Sequence, residues 1–201
     1  MSGDPNGLAI LILAAGFGTR MRGPDKLLQQ VQGQPVLRHL AIQALALGLP
    51  VLATLPRDGA TARRVALGGL AVAIVEVADP GAGMAASLAA GIAALPRDCT
   101  GVLLVLGDMP EVTTTDMAAL AQEFANSGGD TVVRAATATG VPGHPVVFPT
   151  RLFGVLAGLT GDRGARDVLA TEQVQLVRLP GQHATLDLDT PEDWAQWRAK
   201  I

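Results

Sequence analysis

Three cations, Arg20, Arg22 and Lys26, fall close together in a chain that has only 15 basic residues. They close the segment Leu13-Ala14-Ala15-Gly16-Phe17-Gly18-Thr19-Arg20-Met21-Arg22-Gly23-Pro24-Asp25-Lys26. Small residues and glycines let backbone amides approach an anion closely, and the cations neutralise it, so the segment reads as a cradle for a polyphosphate. Two other segments carry carboxylates. Asp108 stands in Leu106-Gly107-Asp108-Met109-Pro110, and Asp187 and Asp189 alternate with leucines in Leu186-Asp187-Leu188-Asp189-Thr190-Pro191-Glu192-Asp193. Mg²⁺ is bound by one or two carboxylates together with substrate phosphates, which is the chemistry these groups could supply. Each also has a structural alternative: Asp108 as a turn residue, and Thr190 or Asp189 as the N-cap of a closing helix that has Pro191 at its first position. The small residues of Pro80-Gly81-Ala82-Gly83-Met84-Ala85-Ala86-Ser87-Leu88 would let a flat ring lie against the backbone, and Ser87 either bonds that ring or is a tolerated helix residue. Taken by themselves, His144 beside Pro145 is a turn residue, and His39 and His183 mark no site.

The elements that must hold these residues follow from the apolar pattern. Short aliphatic runs at 8–14, 51–55, 70–75, 102–106, 131–134, 146–148 and 174–179 read as strands. The first and fourth are apolar on consecutive positions, as central parallel strands covered on both faces are. Helical periodicity fills 35–47 (Val36, Leu40, Gln43, Leu47), 84–95 (Leu88, Ile92, Leu95) and 115–125 (Met117, Leu120, Ala121, Phe124). Strand–helix alternation predicts one α/β domain over 1–201, a three-layer α/β/α sandwich around a mostly parallel sheet. Ligands of such sheets bind at the carboxyl ends of the strands, here the segments after Ala14, Val75 and Leu106. Two familiar phosphate loops are excluded. A dinucleotide fingerprint wants glycine where Met21 stands, and a P-loop wants Gly-Lys-Ser/Thr, whereas Pro24 follows Gly23 and Leu27 follows Lys26.

Composition narrows the class. Of 201 residues 49% are hydrophobic and 16% charged, which excludes intrinsic disorder of the whole chain. A formal charge of −3 argues against nucleic-acid binding, which needs a concentrated basic surface. The single Cys99 allows no internal disulfide and no cysteine-based zinc site, so a reducing cytoplasm is the expected compartment. Residues 1–7 lack the cations of a secretion signal and are expected to be disordered. The most apolar stretch, 40–55, is broken by Gln43, Gly48 and Pro50, so no membrane association is expected.

The run Leu-Ala-Ala-Gly-x-Gly-Thr-Arg-Met, with Lys26 five residues on, resembles the signature loop of nucleotidyltransferases that activate sugars, alditols and pterins by transferring a nucleoside monophosphate. Leu-Gly-Asp-Met-Pro and Asp-x-Asp-Thr-Pro-Glu-Asp are similar to motifs of the molybdopterin nucleotidylyltransferase family. The resemblance runs from about Leu8 to Trp194, with the motifs in order, and is closest to the molybdenum cofactor cytidylyltransferase branch. It implies the Rossmann-like fold of nucleotide-diphospho-sugar transferases. It implies Arg20 and Lys26 as phosphate ligands, and Leu13, Ala14, Ala15, Gly16, Gly18 and Thr19 as nucleotide-binding residues. Gly83, Met84 and Ser87 match a segment that sits beside the base in cytidylyltransferase members, which turns the nucleotide towards CTP. Asp108 and Asp189 are implied as ligands of a catalytic Mg²⁺, with Asp187 as the substitute for Asp189. Gly-His-Pro and Gly-Asp-x-Gly-Ala-Arg place His144, Asp162 and Arg166 on the acceptor side.

The implied activity is transfer of CMP from CTP to a phosphorylated acceptor, a molybdopterin-type cofactor, with release of pyrophosphate and with Arg20, Lys26 and Asp108 as catalytic groups. The alternatives are a guanylyltransferase, a sugar- or alditol-phosphate nucleotidyltransferase, or a non-catalytic carrier that delivers the pterin to an apo-molybdoenzyme. A monomer is expected.

Overall fold

A computed structural model describes residues 7–161 and 165–200. In chain order the elements are β1 (Leu8–Leu13), β2 (Gln30–Val31), β3 (Gln34–Pro35), α1 (Val36–Leu45), β4 (Val51–Pro56), α2 (Thr61–Leu67), β5 (Val72–Val77) and α3 (Met84–Ala93). There follow β6 (Gly101–Leu106), α4 (Thr114–Asn126), β7 (Val132–Ala136), β8 (Pro142–Pro149), α5 (Phe153–Ala157), α6 (Arg166–Thr171), β9 (Val174–Arg178) and α7 (Pro191–Arg198). Seven strands form one sheet in the order β5-β4-β1-β6-β8-β7-β9. β5, β4, β1 and β6 pair in parallel, as do β7 and β9. β8 alone runs antiparallel, to both β6 and β7. Its direction follows from the connection: residues 137–141 make a tight turn closed by Thr137 N–H donating to Val141 O, too short for a crossover.

The two runs with no polar interruption are neighbours at the centre of the sheet, β1 beside β6. Alternate β1 residues feed opposite cores. Leu8, Ile10 and Ile12 pack with Leu37, Leu40 and Ala44 of α1 and with Met117, Leu120 and Phe124 of α4. Ala9, Leu11 and Leu13 pack with Leu88 and Ile92 of α3, Leu156 of α5 and Val168 of α6. These are the three layers. The α4 face expected from periodicity is buried as read, and a capping box between Thr113 and Asp116 starts the helix. The α1 face differs: Leu37, Ala41 and Ala44 join Val36 and Leu40, while Leu47 lies beyond the helix end and Gln43 bonds Thr114 instead.

A third, smaller core lies outside the layers. Met21, Val31, Val36, Leu188, Trp194 and Trp197 form it, drawing together the glycine loop, the β2–β3 hairpin and α7. Trp194 and Trp197 meet edge to face at 5.8 Å, and Trp194 Nε1 donates to Leu188 O at 3.1 Å. Truncating a tryptophan buried in this way to alanine costs about 3–5 kcal/mol. Two consequences reach the site: Met21 anchors its neighbour Arg20, and Leu188 anchors its neighbour Asp189. Among the described residues no helix is long and apolar enough to cross a membrane.

Candidate active site

The chain turns to β4 and β5 on one side of β1 and to β6 on the other, so the carboxyl ends of β1 and β6 flank a topological switch point. A cleft of 310 Å³ opens there, lined by Leu13 to Gly16 after β1, by Pro80, Gly83, Met84 and Ser87 after β5, by Leu106 to Asp108 after β6, and by Lys26 and Leu27. Leu13, Ala14, Ala15, Gly16, Lys26, Gly83, Met84, Ser87 and Asp108 are thus brought together. Gly18 and Arg20 stand outside this lining, and the Thr19 side chain lies outside the described residues.

The loop is built to expose amides. Ala14 N–H is taken by Thr54 O at 3.1 Å, and the next loop amide bonded to a carbonyl is Met21, on Gly18 O. Among the described residues the amides of Ala15, Gly16, Phe17 and Gly18 donate to no protein group. Consecutive unbonded amides form an anion nest. Gly18 has φ +59°, and a Cβ there would stand 3.2 Å from Lys26 Cγ, so glycine both makes the turn and admits the lysine.

Lys26 Nζ donates to Asp108 Oδ2 at 2.5 Å and to Asp189 Oδ1 at 2.7 Å. Arg20 Nη1 reaches Asp189 Oδ2 at 2.7 Å. Burial opposes the Lys26 charge, but the carboxylates of Asp108 and Asp189 outweigh it and hold the ammonium above its ordinary value. Asp108 is 8% exposed, and its Oδ1 has no hydrogen-bond partner among the described residues. Two carboxylates already converge on a single cation, and one buried oxygen is left over. That donor set fits a divalent ion that takes its remaining ligands from phosphates. Among the described residues no group of three His, Cys, Asp or Glu side chains forms a metal cage.

Residues 187–189 lie outside the sheet, in no strand. Thr190 is the N-cap of α7, in a capping box with Asp193 and with Pro191 at the first turn, which leaves Asp189 free to face Lys26. Asp187 sits at the edge of the same acidic corner: burial, then Asp189 and Asp108, push its carboxyl above the usual range. Arg22 departs from the cradle reading, since it is exposed and paired with Glu192.

On the far side of Asp108, His144 lies at the start of β8. Gly143 before it is forced: a Cβ there would stand 1.7 Å from Ala184 O, which accepts the His144 N–H at 2.7 Å. Burial, then the Arg134 charge, push the imidazole down to about 4, against a partial pull upward from Asp108. It is neutral at pH 7, and its Nδ1 is the other buried polar atom without a partner among the described residues. Arg134, on β7, donates to Gly143 O at 2.9 Å and feels the charge of Arg166. Asp162 lies outside the described residues. Sequence reasoning missed Arg134, Asp25 and Arg63. Nothing in the local pattern singled out Arg134, because its meaning depends on the β7–β8 pairing.

Similarities to known proteins agree with this geometry. Rv0371c from Mycobacterium tuberculosis H37Rv is 29% identical, with a TM-score of 0.79 over 96% of this chain and 99% of that one. A structure of Rv0371c in complex with manganese aligns at 28% identity and a TM-score of 0.76. CMP:2-keto-3-deoxy-manno-octonic acid synthetase complexed with CTP shares the fold at 13% identity and a TM-score of 0.75, over 96% of this chain and 97% of that one. The bifunctional protein GlmU of Bacillus anthracis is 35% identical over 119 residues, 59% of this chain but 26% of GlmU, so the chain spans about a quarter of the length of the curated relatives it matches. The MobA-like NTP transferase domain model matches residues 10–178, from β1 to the end of β9, and the chain therefore belongs to the MobA-like NTP transferase family.

Proposed function

We propose that the chain is a metal-dependent nucleotidyltransferase that moves CMP from CTP onto the phosphate of a molybdopterin-type acceptor, releasing pyrophosphate. The observation that carries the reading is the cleft at the carboxyl ends of β1 and β6, lined by Ala15, Gly16, Lys26 and Asp108, whose Lys26 is joined through Asp189 to Arg20 outside it. As folded, Lys26 and Arg20 are paired with Asp108 and Asp189. With a metal–triphosphate bound, Lys26 and Arg20 would pair with the β- and γ-phosphates, and Asp108 and Asp189 would hold the metal in their place. Mg²⁺ held by Asp108 and Asp189 would supply Lewis-acid stabilisation of charge at the α-phosphate. The unbonded amides of 15–18 orient the polyphosphate, and the walls of the cleft exclude water from it.

No protein general base is needed, because an acceptor phosphate is already ionised near neutral pH. A neutral His144 fits this: with its pKa pushed down to about 4 by burial, the imidazole is a poor base near neutral pH. The acceptor's anionic end falls to Arg134 and Arg166, which form no ion pair among the described residues and oppose each other's charge. CTP is favoured by Ala14-Ala15-Gly16 and by the small-residue segment Gly83 to Ser87 flanking the base side of the cleft. The pterin acceptor, and hand-over to an apo-molybdoenzyme, rest on the motif resemblance. Pyrophosphate release measured for CTP, GTP, ATP and UTP against pterin, sugar and alditol phosphates tests both substrates. CTP with the pterin should exceed every other pair by about tenfold or more in kcat/KM, a difference of ~1.4 kcal/mol. Preference for GTP would overturn the nucleotide assignment, and nucleotide binding without turnover on any acceptor would favour a carrier.

A further inference from the structure

Arg63, in the first turn of α2, is 6% exposed. A buried guanidinium must spend its N–H groups on acceptors, and this one spends them on the two ends of the phosphate loop. Nη1 donates to Ala14 O at 2.6 Å, at the exit of β1. Nε and Nη2 donate to Asp25 Oδ2 and Oδ1 at 2.6 and 3.0 Å, immediately before Lys26. Asp25 passes the constraint on, because its Oδ1 also accepts Leu27 N–H at 3.0 Å and caps the single turn Lys26–Leu28.

Two geometric consequences follow. A trans peptide points its C=O and the following N–H in opposite directions, so fixing Ala14 O on Arg63 turns the Ala15 amide away from Arg63, and Ala15 lines the cleft. Capping the turn at Asp25 sets where the Lys26 side chain starts, and its aliphatic part then runs against Gly18. Arg64, the next residue, gives the contrast: it is paired with exposed Glu76 at the surface and bonds nothing in the loop.

We propose that Arg63 is the positioning residue of the nucleotide site, a clamp that joins the two ends of the loop so that its amides and the Lys26 ammonium address one triphosphate. The role needs arginine. A planar fork can hold a carboxylate with two N–H groups and a carbonyl with a third, whereas a lysine ammonium is a single point charge that cannot span both. The proposal rests on the nucleotidyltransferase reading, but half of its test does not.

Arg63→Lys, Asp25→Asn, the double variant and Arg64→Gln are compared by steady-state kinetics and by amide hydrogen exchange of peptides covering 21–29, where the amides of Met21, Leu27, Leu28 and Gln29 are hydrogen-bonded. Arg63→Lys should raise KM for CTP about tenfold with kcat within about twofold, and should speed exchange of the loop amides about tenfold while β1 and β6 stay protected. Asp25→Asn should move the same quantities in the same direction, and the double variant should be little worse than the poorer single one, because both remove one contact. Arg64→Gln should match wild type. KM for CTP within twofold of wild type in folded Arg63→Lys and Asp25→Asn, or exchange rising equally in loop and core, would overturn the clamp. Hydrogen exchange needs no substrate, so a wild type that turns over no nucleotide defeats the functional reading while the clamp is still tested.

Discussion

The two halves of the sheet's carboxyl edge are finished differently. On the β1 side Lys26, Arg20, Asp108 and Asp189 form a network of opposite-charge pairs in which Asp108 Oδ1 is the only buried oxygen without a partner among the described residues, and Arg63 with Asp25 forms another pair behind it. On the β8 side the like charge of Arg166 acts on Arg134, near the His144 imidazole, whose buried Nδ1 has no partner among the described residues. On the proposed reading the first half carries its own stand-ins for the charges of a metal–nucleotide complex and is organised before that complex arrives. The second half holds like charges and a buried polar atom, a state that the proposed anionic acceptor would relieve. Residues kept where they cost stability are the ones a ligand must justify.

Asp108→Asn should break the paired half most severely. It keeps the shape and removes a charge that a divalent ion requires, so kcat/KM should fall by about 10³-fold or more while the fold persists. Rate assays beside a thermal melt check this, and a folded variant with wild-type turnover would remove Asp108 from the metal site. The unpaired half has a pH signature. The His144 proton is bound near pH 4 in the folded chain but near an ordinary ~6.5 when unfolded, so between those values only the unfolded state takes it up. Stability from this residue is complete above pH ~6.5 and is lost as pH falls to about 4, by about 3 kcal/mol. Denaturant titrations of His144→Gln should therefore give a flatter curve over that window than wild type, and superimposable curves would contradict the burial.

Lys26→Met separates the halves kinetically. KM for the nucleotide should rise by about 10²-fold and that for the acceptor by less than about twofold. Arg134→Met should do the reverse at smaller scale, about tenfold on the acceptor KM, with thermal stability changed little, because relief of the buried charge and of Arg166 repulsion offsets the lost hydrogen bond to Gly143 O. If both variants moved both constants equally, the division of the edge into two subsites would fail.

Legibility in the sequence followed locality. The seven strands of the main sheet and helices α1, α3 and α4 were readable because each is a self-contained apolar pattern bounded by Gly, Pro or a cap. The β2–β3 hairpin escaped because each arm is two residues long, although Gln32 and Gly33, both at positive φ, make the turn that such a hairpin requires. The cleft lining after β1, β5 and β6 was legible from where the apolar runs stop. What could not be read is what distant segments do to one another. Arg63 looks like any helix arginine until α2 is laid beneath the loop, and Trp194 and Trp197 look like a closing helix until they bury Leu188 and Met21 behind Asp189 and Arg20. Asp189 was recognised by its motif, but its freedom to meet Lys26 depends on Thr190 taking the cap.

Calorimetric titration of CTP into the wild type and Asp108→Asn, each with and without Mg²⁺, bears most directly on the central claim that the carboxylates at this edge exchange Lys26 for a metal–nucleotide complex. Mg²⁺ should tighten CTP binding to wild type by about tenfold or more, ~1.4 kcal/mol of coupling, and Asp108→Asn should abolish that coupling. CTP affinity indifferent to Mg²⁺ in the wild type, or coupling that survives in Asp108→Asn, would contradict it.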